Sequence, residues 1–126
     1  MRHCFPLKDR RKYIRINKTL ILTYRLTRDY LKSSAKSIDI SPGGIRFPLR
    51  QRLEPGSYLK LEIISDTLGH PIPLTGEVVW IKEKELSPLP FEIGVRFLEI
   101  TADDLENLQR ICYRQKNSGP RINWLG

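Results

Sequence analysis

Few of the residues that perform chemistry occur in this chain. Its 126 residues include two cysteines and two histidines. Cys4 and Cys112 lie far apart, and His3 and His70 sit among loop residues without a clustered partner. Zinc sites and Cys/His nucleophile pairs need such residues close together, so no metal ligand and no catalytic residue is assigned. There is also no G-x-S-x-G, no P-loop and no dinucleotide fingerprint, and no enzyme or cofactor is expected. No apolar run reaches the roughly 18 residues of a membrane span, and Met1 to Pro6 lacks the apolar stretch of a secretory signal. The expectation is a cytoplasmic protein without membrane insertion. Its length supports one domain, with roughly two-thirds of the unfolded surface buried on folding.

Acidic residues are scarce at both ends. Residues 1–18 hold seven Lys/Arg against Asp9, for +6, and residues 110–126 hold four and no acid, for +4. The middle, residues 19–109, has 11 basic and 13 acidic residues, −2 within a total of +8. A domain that wraps nucleic acid spreads its basic residues along a folded face. Here the body is slightly acidic, and aromatics for base stacking are not evident, so nucleic acid is disfavoured despite a pI near 9.8.

What the chain does have is alternation. Thr19 to Thr27 places Leu20, Leu22, Tyr24 and Leu26 on one face, the pattern of a half-buried strand. Ser34–Ile40, Ile45–Leu49 and Tyr58–Ile64 read as three more strands. Ile72–Ile81 is a fifth, with Leu74, Val78 and Trp80 on one side and a bulge at Gly76. Phe91–Leu98 is a sixth, burying Phe91, Ile93, Val95 and Phe97. Turn residues separate the runs, as at Pro55-Gly56 and Ser87-Pro88-Leu89-Pro90. The fold class expected is all-β with one helix: a small, closed or nearly closed, six-stranded antiparallel barrel of Greek-key type with a C-terminal helix. Thr101 is a good N-cap, Asp103 and Asp104 suit the helix N-terminus, and Leu105, Leu108, Ile111 and Cys112 share a face that covers the barrel. The boundaries are a disordered lead over 1–8, an arginine-rich arm over 9–18, the barrel over 19–99, the helix over 101–115 and a mobile tail over 116–126.

Two stretches carry the candidate chemistry. Asp9-Arg10-Arg11-Lys12-Tyr13-Ile14-Arg15 puts three arginines and a lysine in six positions before the first strand. The guanidinium fork suits phosphate and the O6/N7 edge of guanine. Arg11 and Arg15 stand about 13–14 Å apart if extended and about 6 Å apart on a helical turn; either spacing brackets a compact anion. Taken alone, such a run is equally a solvated charge cluster. The second stretch is Asp39-Ile40-Ser41-Pro42-Gly43-Gly44. Asp39 can accept paired donors such as guanine N1–H and N2–H₂, Ser41 donates and accepts, and Gly44 gives backbone clearance or a turn. As turn chemistry alone, the same residues make a hairpin.

Together these stretches resemble the PilZ domain, a bacterial receptor module for cyclic di-GMP. That family shows R-x-x-x-R in an N-terminal segment and D/N-x-S-x-x-G on the barrel. Here Arg11 and Arg15, with Arg10 preceding, match the first pattern, and Asp39, Ser41 and Gly44 match the second. Leu74-Thr75-Gly76-Glu77-Val78-Val79-Trp80 and Phe91-Glu92-Ile93-Gly94-Val95-Arg96-Phe97 are also similar, so the likeness runs from about residue 9 to about residue 115.

The resemblance implies a nucleotide-binding protein of second-messenger signalling that binds cyclic di-GMP without altering it. Arg11 and Arg15 are assigned to phosphate and guanine, Asp39 and Ser41 to the base edge and a nearby phosphate, Gly44 to clearance and Arg10 to an extra contact. Arg46 and Arg96 are expected to line the outer barrel face. The basic arm repels itself and is expected to order on binding, passing the signal to an unidentified downstream protein, from a monomer or homodimer. The alternatives are a PilZ-like protein adaptor without nucleotide binding and a basic nucleic-acid-binding barrel.

Overall fold

The computed structural model describes the backbone of residues 4–6 and residues 14–66 and 68–114. Arg10 and Arg11, the rest of the arm before Ile14 and the expected tail with Trp124 lie outside the described residues. Eight strands are formed among those described: β1 (Cys4–Pro6), β2 (Ile21–Leu26), β3 (Ser33–Lys36), β4 (Asp39–Ser41), β5 (Gly44–Leu49), β6 (Tyr58–Ile64), β7 (Ile72–Glu83) and β8 (Phe91–Thr101). All pairings are antiparallel, in the order β3-β2-β6-β7-β8-β5-β4, with β1 added to the end of β8. The all-β architecture with one C-terminal helix is as expected, and of the closed and nearly closed alternatives the sheet takes the second; the strand count differs.

The extra strands have two sources. Cys4–Pro6, expected in a disordered lead, pairs with Glu99–Thr101. The run read as one strand over 34–40 is divided. Ser37 sends its N–H to Leu20 O at 2.9 Å on one sheet edge, and Ile38 sends its own to Arg46 O at 2.8 Å on the other. This single segment thus joins the two edges, β3 and β4, through the chain. A continuous ladder does not close the sheet. Arg46 turns its carbonyl toward the β4 side, and by the two-residue repeat Pro48 faces the same way without an N–H to give.

The inward positions carry the core. Leu22, Ile45, Phe47, Leu59, Leu61, Ile63, Ile72, Val78, Ile93 and Phe97 are buried, with Tyr24 tilted on Phe47 at 5.2 Å between ring centres. One end is covered by α1 (Ala102–Gln109), capped by Thr101, whose Oγ1 accepts the Asp104 N–H at 3.1 Å. The helix then widens into a π-helical turn, Arg110–Arg114. That turn buries the consecutive residues Ile111 and Cys112 together with Leu108.

Trp80 departs from the simple alternation. The register of β7 on β8 shifts between Thr75 and Gly76, where the extra residue is Leu98 of β8 rather than Gly76, and again between Val78 and Trp80. The second shift leaves Val79 as an extra residue and reverses the parity that follows. Val78 faces the core opposite Val95, whereas Trp80 stands opposite Gly94 and is 39% exposed. Tyr30 and Tyr58 are also exposed, so aromatic surface is present where none was evident. No helix among the described residues is long and apolar enough to cross a membrane.

Candidate functional site

The outer face of β4, β5, β8 and β7 forms an ordered array. One cross-strand row reads Ser41, Gly44, Arg96, Glu77; the next reads Asp39, Arg46, Gly94, Trp80; a third contains Pro48, Glu92 and Lys82. Strand periodicity puts these residues on one surface: they lie two apart along β4, β5 and β8, and on β7 the extra residue Val79 makes the step from Glu77 to Trp80 three. Gly94 is the gap in the middle. A Cβ there would lie 2.3 Å from the Trp80 ring, so the glycine lets the indole lie against β8.

The end of the arm is fastened beside this face. Ile16 and Ile40 exchange N–H···O bonds of 3.0 Å each, and Tyr113 donates its hydroxyl to Ile14 O at 2.9 Å. Lys18 Nζ donates to Ile111 O at 3.0 Å. Ile16, expected in the arm, therefore belongs to the folded body. The bridge sets Arg15 next to Asp39: Arg15 Nε and Nη2 donate to Asp39 Oδ1 at 3.0 and 2.8 Å.

Arg46 takes the other oxygen. Its Nε and Nη2 lie 3.0 and 2.7 Å from Asp39 Oδ2, and its Nη1 donates to Glu92 Oε2 at 2.9 Å. Lys84 Nζ meets Glu92 Oε1 at 2.8 Å. Five alternating charges thus run from Arg15 through Asp39, Arg46 and Glu92 to Lys84. Burial lowers the Arg46 pKa, but the hydrogen bonds and charges of Asp39 and Glu92 outweigh it and leave the pKa raised. Burial pushes the Glu92 carboxyl up, and Lys84 and Arg46 outweigh it, holding it below its ordinary value. Arg96 forms a separate pair, its Nε donating to Glu77 Oε1 at 3.0 Å.

Of the residues singled out in the sequence, Arg15 and Asp39 are joined directly, and Arg46 and Arg96 stand on the outer face. Ser41 is buried and its Oγ accepts the Gly43 N–H at 3.1 Å, so it also holds the β4–β5 turn. Gly44 has no positive φ; a Cβ there would meet Val95 O at 2.5 Å, so its clearance is toward β8. Glu92, Lys84 and Trp80 were not assigned to the site. Lys84 gives no motif signal, Glu92 falls in the family-like segment Phe91–Phe97 but in neither binding motif, and the bulge that turns Trp80 outward is silent in the alternation. Among the described residues no group of His, Cys, Asp and Glu converges to hold a metal ion.

The sequence profile of the PilZ domain matches residues 9–114. The chain belongs to the PilZ domain family. Solved PilZ proteins share the fold. The Bacillus subtilis inhibitor of motility MotI/DgrA is 24% identical with a TM-score of 0.71, over 90% of this chain and 55% of that one. The chain therefore spans only about half the length of that protein. The PilZ domain of Escherichia coli YcgR, solved with c-di-GMP, is 20% identical with a TM-score of 0.66, over 86% of this chain and 95% of that one. The PilZ domain of CeSA from a cellulose-synthesizing bacterium is 11% identical with a TM-score of 0.60, over 82% and 98% of the two chains. No curated protein sequence matches the chain.

Proposed function

We propose that this PilZ protein is a receptor for cyclic di-GMP and binds it on the outer face around Asp39 and Arg46. The observation that carries this reading is the meeting of two motif residues 24 positions apart, Arg15 on Asp39 at 2.8 Å, beside a second arginine. The YcgR domain solved with c-di-GMP supports the choice of ligand.

Four guanidinium contacts occupy the two Asp39 oxygens, which together have about four acceptor sites. A guanine edge therefore reaches Asp39 by replacing Arg15. Arg15 is the partner that gives way, its side chain 41% exposed against 31% for Arg46, which Glu92 also holds. The released fork joins Arg11, with Arg10 as an extra contact, on the phosphates and the O6/N7 edge of guanine. Ser41, fully buried, serves the site by holding the β4–β5 turn beside Asp39. Ligand binding folds the arm's arginines onto the barrel, and that surface is read by a downstream protein.

Equilibrium binding of cyclic di-GMP to single variants tests the assignment. Arg11→Ala and Arg15→Ala each weaken binding about ten- to over a hundredfold, and Arg→Lys recovers only part because the fork is lost. Arg2→Ala and Lys8→Ala change little. Equal losses in all four variants, erased alike by salt, would instead identify general polyanion attraction.

A further inference from the structure

Glu92 is a buried carboxylate with no place in the motifs. Its side chain is 2% exposed and touches no residue assigned to the ligand except Arg46. On its other side it accepts from Lys84. The Lys84 backbone is itself fixed, its N–H donating to Pro90 O at 2.7 Å across the neck of the β7–β8 loop. A carboxylate close to an anion site opposes the anion by simple charge, so its presence calls for a reason other than attraction.

The geometry supplies one. Arg46 has three nitrogen contacts, Nε and Nη2 on Asp39 and Nη1 on Glu92, so its guanidinium plane is held from two sides. Removing Glu92 leaves Arg46 tethered at Asp39 alone. A fork recognises phosphate or guanine only when its plane is already oriented. We propose that Glu92, braced by Lys84, is a positioning residue for the nucleotide site: it fixes the plane of Arg46, and through it Asp39, before ligand arrives. This inference rests on the receptor reading above and adds a residue that the binding motifs do not include.

The two effects of Glu92 on binding have opposite signs, which makes the test decisive. Glu92→Gln keeps the shape, removes one negative charge and leaves one acceptor oxygen for two donors. Attraction alone predicts tighter binding of cyclic di-GMP, most of all at low salt. Positioning predicts binding about five- to twentyfold weaker, at low and moderate salt alike. Glu92→Asp, which keeps the charge but is one methylene shorter, is expected to weaken binding in the same direction. It also serves as the readout where the Gln variant does not fold.

The companion measurement needs no ligand. Nuclear magnetic resonance of the Arg46 Nη1–H₂ group, which donates to Glu92, should show slow solvent exchange and restricted Cζ–Nη1 rotation in the free wild type and faster exchange and rotation in both Glu92 variants. Unchanged or tighter binding in both variants, or an Arg46 Nη1–H₂ group that stays equally protected, overturns the positioning role. Wild-type protein that binds no cyclic di-GMP overturns the receptor reading and the ligand half of this inference. Loss of Arg46 protection in the variants would then still establish the hold of Glu92 on Arg46.

Discussion

Gly44 is the motif position whose role the fold defines most sharply. A methyl group there would place carbon 2.5 Å from the Val95 carbonyl oxygen and 3.5 Å from the Arg96 Cα. Both neighbours are backbone atoms of β8, so no side-chain rotation relieves the contact. Real Cβ contacts are essentially never below 3.0 Å, and the strands must part locally by about 0.5 Å or more in an interior packed at crystal-like density. The strain falls on the ladder that runs from Gly44↔Arg96 to Leu49↔Phe91, which carries Arg46 and Glu92. Overpacking of this kind costs about 1–3 kcal/mol. For a domain of this size that is a melting-temperature drop of about 3–15 °C. Thermal unfolding of Gly44→Ala followed by circular dichroism, with urea unfolding as a second probe, measures it. If the glycine served only to let ligand approach, stability would be unchanged and affinity alone would fall. A melting temperature within about 1 °C of wild type would therefore refute the packing argument.

Other perturbations follow from the same contacts. Arg46→Ala takes one donor from Glu92 and two contacts from Asp39, and should lower stability in urea by about 1–3 kcal/mol. Glu92 is held below its ordinary value, so its contribution is present above the unfolded pKa near 4.5 and disappears as pH falls through the lower folded value. Wild type should accordingly lose stability more steeply than Glu92→Gln as pH drops below about 4.5, read from urea midpoints across that range. Burial pushes the Cys112 thiol up to about 12. Alkylation at mildly alkaline pH, mapped by peptide mass spectrometry, should leave Cys112 unmodified in folded protein and modify it after denaturation.

Much of this was legible in the sequence because strands with one face on a core write their period into the chain. Leu22 and Tyr24, Leu59, Leu61 and Ile63, and Ile93, Val95 and Phe97 alternate as they pack. Thr101, as an N-cap, gave the start of the helix in the same way. The failures lie where local chemistry interrupts the period. The extra residue at Val79 turns Trp80 outward, and alternation beyond a bulge cannot be read without knowing the partner strand. The break at Ser37 and Ile38 is likewise invisible, because their N–H groups serve opposite edges and that depends on distant partners, Leu20 and Arg46. The ion chain shows the same limit: Arg15–Asp39 joins two recognisable motifs, whereas Glu92 reaches Arg46 through strand pairing and Lys84 reaches Glu92 from the end of β7.

Ligand binding itself is the most direct test. Isothermal titration of the wild-type protein with cyclic di-GMP, against cyclic di-AMP and GTP, asks whether the face around Asp39 reads guanine. Adenine lacks the N1–H and N2–H₂ donors that Asp39 would accept, a difference of about 1–3 kcal/mol or about five- to over a hundredfold in affinity. The account predicts saturable heat with cyclic di-GMP and much weaker binding of the other two. Absent heat with cyclic di-GMP, confirmed by a second binding method, or equal affinity for the two cyclic dinucleotides, would contradict it.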